Sequence, residues 1–408
     1  MSLRIAFNAT PLLSPITGIG NYILELGAAL ASFPDIDAYS FYRYRWRHAP
    51  PAGQDWGDGM LGQRVLQGIK PLVPFRAAMR HGTKLLGFSR GLREHRIDLY
   101  HEQNYVPLSY DVPVVITIHD LSWIRYPAAH PIDRVRWLER GLPRALDTAR
   151  AVLVDSEFIR REVLTTFGLD CESVHVAHLG VPRGFSPRPP SSTVRSLGEL
   201  GLEHGQFILT VGTIEPRKNL VHVLEAHALL PEALKSEYPL VIAGARGWRS
   251  QGMLTRLRSQ DDRHVRFLGH VTSEELACLY SGAALFAFPS IYEGFGLPPL
   301  EAMACGAPVI VSDRSSLPEI VGGAGVMMNP EDPESTAATI QELLADPGRR
   351  LEMSRQGVER ASRFTWTRCA EVTSAVYRSA LGLPEESSHP NRTRLDALSP
   401  PAIQPNVK

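Results

Sequence analysis

Two carboxylates, Glu293 and Glu301, bracket the run Gly294-Phe295-Gly296-Leu297 and a pair of prolines. An apolar strand pattern precedes them at Ala284–Phe288, and another follows at Val309–Ser312. A loop at the carboxyl end of a strand that feeds a helix N-terminus is where an open α/β sheet places an anionic ligand. On such a loop Glu293 could bond sugar hydroxyls or stabilise a developing positive charge. Glu301 has a plainer alternative. With the helix starting at Pro298 or Pro299, it falls in the first turn, where a carboxylate favours the helix dipole.

A second candidate is Glu215-Pro216-Arg217-Lys218-Asn219, a turn carrying two adjacent cations before a helix that begins near Leu220. Arg presents a planar fork and Lys a point charge, a combination that suits a pyrophosphate. The alternative is a solvated basic pair with Asn219 as helix N-cap. Thr17-Gly18-Ile19-Gly20-Asn21 follows the first strand and opens an amphipathic helix, so Gly18 and Gly20 would let a phosphate approach the backbone. It lacks the third glycine of a dinucleotide fingerprint, and an ordinary turn also accounts for it. His119 ends an apolar strand just before Asp120-Leu121-Ser122-Trp123, which is equally consistent with a catalytic and a structural histidine. His101-Glu102 sits in a similar place with less support.

The elements that must carry these residues are short, β-branched strand runs separated by helical patterns. The first half offers Leu3–Phe7, Asp98–His101, Val114–Ile118, Ala151–Asp155 and Val174–Ala177. The second half offers Phe207–Val211, Leu240–Ala243, Val265–Leu268, Ala284–Phe288, Val309–Ser312 and Gly325–Met328. Continuous apolar strands are expected where both sheet faces are covered, so the alternation predicts two doubly wound parallel sheets. In a parallel sheet all the loops named above share one edge, and two such edges facing each other make an interdomain cleft. The Pro-rich stretch after Val181 is expected to divide the chain into residues 1–183, a linker at 184–204 and a second domain at 205–365. A helix is expected from about Trp366 into 383, and the polar, Pro-rich residues 384–408 are expected to be disordered.

The whole-chain numbers exclude several classes. A chain of 408 residues with 44% hydrophobic content supports two cores, and its net charge of zero carries no global polyanion-binding signature, so no nucleic-acid partner is expected. Four scattered cysteines without a Cys-x-x-Cys pair suit a reducing cytoplasm. A first strand at Leu3 leaves no room for a signal peptide, and no run approaches the ~20 apolar residues of a membrane span. The sequon Asn391-Arg392-Thr393 is expected to stay unmodified in a cytoplasmic protein. Arg76 to Arg96 interleaves basic and apolar residues. It reads either as a helix lying on an anionic membrane surface, with Tyr42–His48 joining the patch, or as a surface helix with its apolar side in the core.

Taken together, these residues resemble a known family, the retaining nucleotide-sugar glycosyltransferases of family 4, which have the GT-B fold. The resemblance runs from Gly18-Ile19-Gly20 to Phe364-Thr365-Trp366. Its most specific part is Glu293-Gly-Phe-Gly-Leu-x-x-x-Glu301 preceded by Glu215-Pro-Arg-Lys-Asn219. It implies two Rossmann-like domains facing a cleft, an acceptor-side N-terminal domain, a donor-binding C-terminal domain, and a final helix packed back on the N-terminal domain. Gly18 and Gly20 would lie against the donor diphosphate, and Arg217 and Lys218 would grip it. Glu293 would contact the donor sugar within the backbone of Gly294, Phe295 and Gly296, Leu297 N–H would meet a phosphate, and Glu301 would bond the ribose. His119 matches a histidine near the C6 hydroxyl of the donor sugar. No metal or other cofactor is expected.

The segments Thr17-Gly-Ile-Gly-Asn-Tyr22, Tyr100-His-Glu-Gln-Asn104 and Ile118-His-Asp-Leu-Ser-Trp123 are most similar to bacterial mannosyl- and rhamnosyltransferases of O-antigen or exopolysaccharide synthesis. They imply GDP-mannose or GDP-rhamnose as donor and a lipid-linked glycan as acceptor, at the inner face of the cytoplasmic membrane. Trp248 and Tyr292 do not help to choose the base. Two other readings stand beside this one: a non-catalytic nucleotide-sugar-binding scaffold, and a nicotinamide-dependent oxidoreductase suggested by the doubly wound sheets alone.

Overall fold

The computed structural model describes residues 2–13, 18–43, 45–51, 74–245, 247 and 263–384, with 74–83 as backbone only. Thr17, Trp248, the sequon and the tail from 385 onward lie outside the described residues. Among the described residues, strands form two sheets. The first contains β1 (Leu3–Asn8), β2 (Ile36–Tyr42), β3 (Arg45–Arg47), β4 (Leu99–Glu102), β5 (Val114–Ile118), β6 (Ala151–Val154) and β7 (Val174–Val176), in spatial order β3-β2-β1-β4-β5-β6-β7. The second contains β8 (Ile208–Val211), β9 (Leu240–Ala243), β10 (Val265–Gly269), β11 (Leu285–Phe288), β12 (Val309–Ser312) and β13 (Val326–Met328), in order β10-β9-β8-β11-β12-β13. Every pairing is parallel except β2 with β3. The central strands are buried along their whole length, as covered parallel sheets require.

The order reverses beside β1 in one sheet and beside β8 in the other, so the loops after β1 and β4, and after β8 and β11, flank the two switch points. Those loops contain Gln103, Arg217-Lys218 and Glu293, and the loop after β1 leads into Gly18–Gly20 at the start of the helix Gly18–Leu30. Local sequence signals set the helices between the strands. Ser156 caps Glu157–Phe167 by accepting from Ile159 N, and Gly168 ends it in the left-handed region. Thr272 and Glu275 form a capping box at Ser273–Gly282.

Two expectations need correction. The segment Tyr42–His48 contains the returning strand of an edge hairpin: β3 pairs antiparallel with β2, and Trp46 stacks on Phe88 of the helix Pro74–Glu94 at 5.1 Å. The aromatic residues read as surface patch are therefore partly core, while Arg45 and Arg47 face solvent. The linker stretch is also more ordered than its prolines suggested. The helix Pro190–Glu199 lies within it and buries Leu197 in the second domain's core, because Pro190 stands at a helix start, where it is tolerated.

The final helix, Trp366–Ala380, packs on Gly18–Leu30 of the first domain. Tyr377 OH lies 2.7 Å from His101 Nδ1, and Arg378 pairs with Asp35. The two chain crossings between domains run side by side at Gly180, where a Cβ would lie 2.2 Å from Trp366 N. One apolar cluster therefore continues from Phe7 and Leu26 through Trp366 and Tyr377 to Phe288 and Leu300.

Candidate active site

The carboxyl edges of the two sheets meet around Glu293. Its Oε1 accepts from Lys218 Nζ at 2.6 Å and from Ser290 Oγ at 2.6 Å, and its Oε2 from Arg217 at 3.2 Å. Arg217 also bonds the Tyr292 carbonyl at 3.0 Å and pairs with Glu215 at 2.7 Å. The basic pair is thus engaged rather than solvated, with Lys218 buried and Arg217 largely so. Asn219 stands at the N-cap position in the left-handed region, but its side chain donates to the Pro330 carbonyl and caps nothing. Burial alone would raise the Glu293 pKa. Lys218 and then Arg217 outweigh it and hold the carboxyl below the usual carboxylate range. Burial pulls the Lys218 ammonium the other way, below its ordinary value.

The loop after Glu293 runs into the helix Leu297–Ala304, one residue earlier than its prolines suggested. No side chain caps this helix, in contrast to the helices begun by Ser156, Thr272, Asp332, Asp346 and Thr365. Pro298 and Pro299 have no N–H to offer, and Leu300 N bonds Gly296 O. Leu297 N–H is therefore the first-turn donor left to face an incoming anion. Glu301 lies past the first turn, so the capping alternative does not hold. It is buried, accepts from Tyr280 OH at 3.1 Å, and burial pushes its pKa up to about 8.

From the first domain, His119 comes to the same place. Its Nδ1 lies 2.8 Å from Asp155 and its Nε2 3.0 Å from the Gln103 carbonyl, with Tyr22 edge-on at 4.7 Å. Two acceptors at two ring nitrogens require two protons, which is the imidazolium. Burial favours the neutral ring, but Asp155 outweighs it and holds the His119 pKa above the ordinary histidine value. Burial draws Asp155 itself toward its neutral form, and the geometry decides for the ion pair. Both ring nitrogens are committed within the protein. What His119 presents to the opposite domain is its carbonyl: a Cβ on Gly294 would lie 1.9 Å from His119 O.

Gly20 is buried at the start of the helix Gly18–Leu30, and Gly18 is exposed ahead of it. The structure brings His119, Arg217, Lys218, Glu293 and Gly294 to one locus, while Glu301 is engaged by Tyr280 and Gly18 stands exposed at its helix start. Several participants were not foreseen. Asp155 and Ser156 follow β6, and Ser156 Oγ donates to the Gly294 carbonyl at 2.7 Å. Ser315 accepts from Glu293 N, while Ser316 donates to the Glu293 and Phe295 carbonyls. The strand-end rule that singled out His119 applies equally to Asp155 and Ser156. Nothing in the local pattern marks the serine pair.

Comparison with known proteins supplies the family. A model of "Glycosyltransferase Family 4" matches residues 16–184, and a model of "Glycosyl transferases group 1" matches 198–360. The O-antigen chain mannosyltransferase B of Escherichia coli is 34% identical over 384 residues, spanning 92% of this chain and all of that protein. This chain belongs to glycosyltransferase family 4. Its fold is that of sucrose-phosphate synthase from Thermosynechococcus elongatus (TM-score 0.71, 22% identity, 93% of this chain and 99% of that one). The same holds for HepE of Anabaena, solved in complex with UDP-glucose (TM-score 0.70, 17% identity, 92% of this chain and all of that one). These neighbours are GT-B glycosyltransferases, and this family-4 member shares their two Rossmann-like domains.

Proposed function

We propose that this family-4 enzyme is a retaining, metal-independent hexosyltransferase that moves mannose, or rhamnose, from a GDP-linked donor to a lipid-linked or oligosaccharide acceptor of a bacterial surface polysaccharide. The observation that carries the reading is the pairing of Lys218 and Arg217 with Glu293 just ahead of the uncapped helix Leu297–Ala304, where Gly294 meets the His119 backbone of the first domain. Two cations and a helix N-terminus at one point stabilise the negative charge that develops on a departing diphosphate. Glu293 then acts as a binding and electrostatic residue toward the sugar, and the acceptor hydroxyl attacks from the face the diphosphate leaves. Gly18 and Gly20 close on the diphosphate from the first domain, Glu301 holds the ribose, and Gly294, Phe295 and Gly296 enclose the sugar with their backbone. The match to an O-antigen mannosyltransferase across its full length favours mannose and the O-antigen.

Membrane contact is part of the same proposal. The helix Pro74–Glu94 buries Phe88 and Leu92 and leaves Leu86, Arg90 and Arg93 exposed on one stripe, which suits an anionic leaflet. Among the described residues no helix is long and apolar enough to cross a membrane.

The test is turnover. The purified protein is given GDP-mannose, GDP-rhamnose, UDP-glucose and ADP-glucose with lipid-linked and free mannosyl acceptors, with and without a chelator. Transfer from a GDP-sugar, unaffected by chelation and with the anomeric configuration kept by NMR, is the expected result. Binding without transfer across the acceptor panel would favour a scaffold instead.

A further inference from the structure

The residues after β6 form a contact that the proposed chemistry does not use. Four consecutive positions hold three different groups. Asp155 holds the His119 ring, and Ser156 holds the Gly294 carbonyl of the opposite domain. The backbone N–H groups of Glu157 and Phe158 both point at one carboxylate of that opposite domain, Glu319, at 2.9 and 3.1 Å. His178 Nε2 adds a third contact to Glu319 at 2.7 Å. A carboxylate across the first two N–H groups of an 11-residue helix is a favourable placement, since it satisfies orphan donors and meets the positive end of the dipole.

Glu319 is rigidly mounted. Its own carbonyl accepts from Arg360 at 2.6 Å, and that of Ile320 from the same side chain at 3.0 Å. It sits on the helix Leu317–Val321, which begins directly after Ser315 and Ser316. Those two serines hold the Glu293 N–H and the Glu293 and Phe295 carbonyls. One short unit of the second domain therefore grips the Glu293 loop at one end and the first domain at the other. Two of the first-domain residues it grips, Glu157 and Phe158, follow within three positions of Asp155, which orients His119.

We propose that Glu319 is the positioning residue of this enzyme: it docks the second domain on the N-terminus of the helix Glu157–Phe167 and thereby sets the register of the Glu293 loop against His119. It touches no substrate. Its action on the reaction rests on the glycosyltransferase reading, but its action on domain closure does not.

The experiment has a structural arm and a kinetic arm on the full chain. Small-angle scattering of the protein without substrate should show a larger radius of gyration for Glu319→Ala than for wild type, with Glu319→Gln between them. The amide oxygen can still accept one of the two N–H groups. A second variant removes the contact from the other side. Glu157→Pro lacks the donating N–H at the first helical position, where proline is tolerated and where the extended backbone of Ser156 already suits a following proline. It should open the protein in the same way, and Glu319→Ala added to it should have less than its separate effect. With a working donor and acceptor, Glu319→Ala should lower kcat by about tenfold or more, leave the donor KM within about threefold, and be partly rescued by Gln. Scattering identical to wild type in both single variants overturns the proposal, even where transfer is normal. So does a loss confined to donor KM, or full additivity of the two changes. If wild type transfers nothing from any nucleotide sugar, the functional reading fails and the scattering arm still decides the docking role.

Discussion

Lys218 and Arg217 are the residues whose removal should reach furthest, because each meets Glu293 in a buried site that water does not screen. Deleting either leaves a carboxylate short of a partner and removes a charge that would stabilise the leaving diphosphate. Lys218→Ala should lower kcat/KM by about 100-fold or more, read from initial rates with the GDP-sugar, and Arg217→Ala by a similar factor. Glu301 makes a different prediction. Burial lifts its pKa from 4.5 to about 8, so between those values the folded protein holds a proton that the unfolded chain has released. Stability must then fall as pH rises through that window and level off above it. Glutamine does not titrate. The melting temperature of Glu301→Gln relative to wild type should therefore move in the variant's favour from about pH 5 to about pH 8, and a flat difference across that range would refute the buried neutral acid.

At the scale of elements, some helices are closed by a capping side chain and others, the one after Glu293 among them, are not. Ser273–Gly282 is closed by the reciprocal bonds of Thr272 and Glu275, at the end of the helix opposite Tyr280, the residue that reaches Glu301. Thr272→Ala should cost about 1 kcal/mol in denaturant unfolding and leave kcat and KM unchanged. The helix Leu297–Ala304 has no capping side chain and two prolines in its first turn, so its stability comes from the burial of Leu300, Ala302 and Met303. Its start was legible to within a residue, since proline is favoured there, but the state of Glu301 was not. Whether that carboxylate capped the helix or was sealed beneath Tyr280 depended on packing from the helix Ser273–Gly282, far away in the pattern. The hairpin of β2 and β3 was missed for a related reason. The alternation in Ile36–Tyr42 is interrupted at Phe41-Tyr42, and the arginines of Tyr42–His48 drew attention from its edge pairing.

The whole molecule is two sheets whose carboxyl edges touch, joined by crossings at Gly180 and Trp366 and by a cluster of apolar side chains common to both domains. At Gly294 the backbones of the two edges are in direct contact. A methyl group there would overlap the His119 carbonyl, and that atom is backbone and cannot swing away. Gly294→Ala should hold the domains apart, with a larger radius of gyration and a kcat lowered by about tenfold or more, while the melting temperature of each domain stays near wild type. Tyr292 belongs at this scale too. It is a second-domain side chain seated in a first-domain cluster beside Tyr126 and Phe158, taking a hydrogen bond from Leu121 N at 2.9 Å. Sequence offered no use for it, because its partners lie in the other domain.

By itself the sequence determined the parallel strands other than β2, and the two charged loops that follow β8 and β11. Buried strand runs, helix starts and turn glycines are local and leave local marks. The strand-end rule was enough to gather Arg217, Lys218, Glu293 and His119 as candidates. What the tertiary structure decided was who faces whom. That the cations are paired with Glu293, that both nitrogens of His119 are committed, and that Glu319 reaches Glu157 and Phe158 are contacts between residues 16 to 162 positions apart, set by how the elements pack. No periodicity in the chain encodes such distances, because closure is fixed by shape and charge on surfaces that only folding brings together.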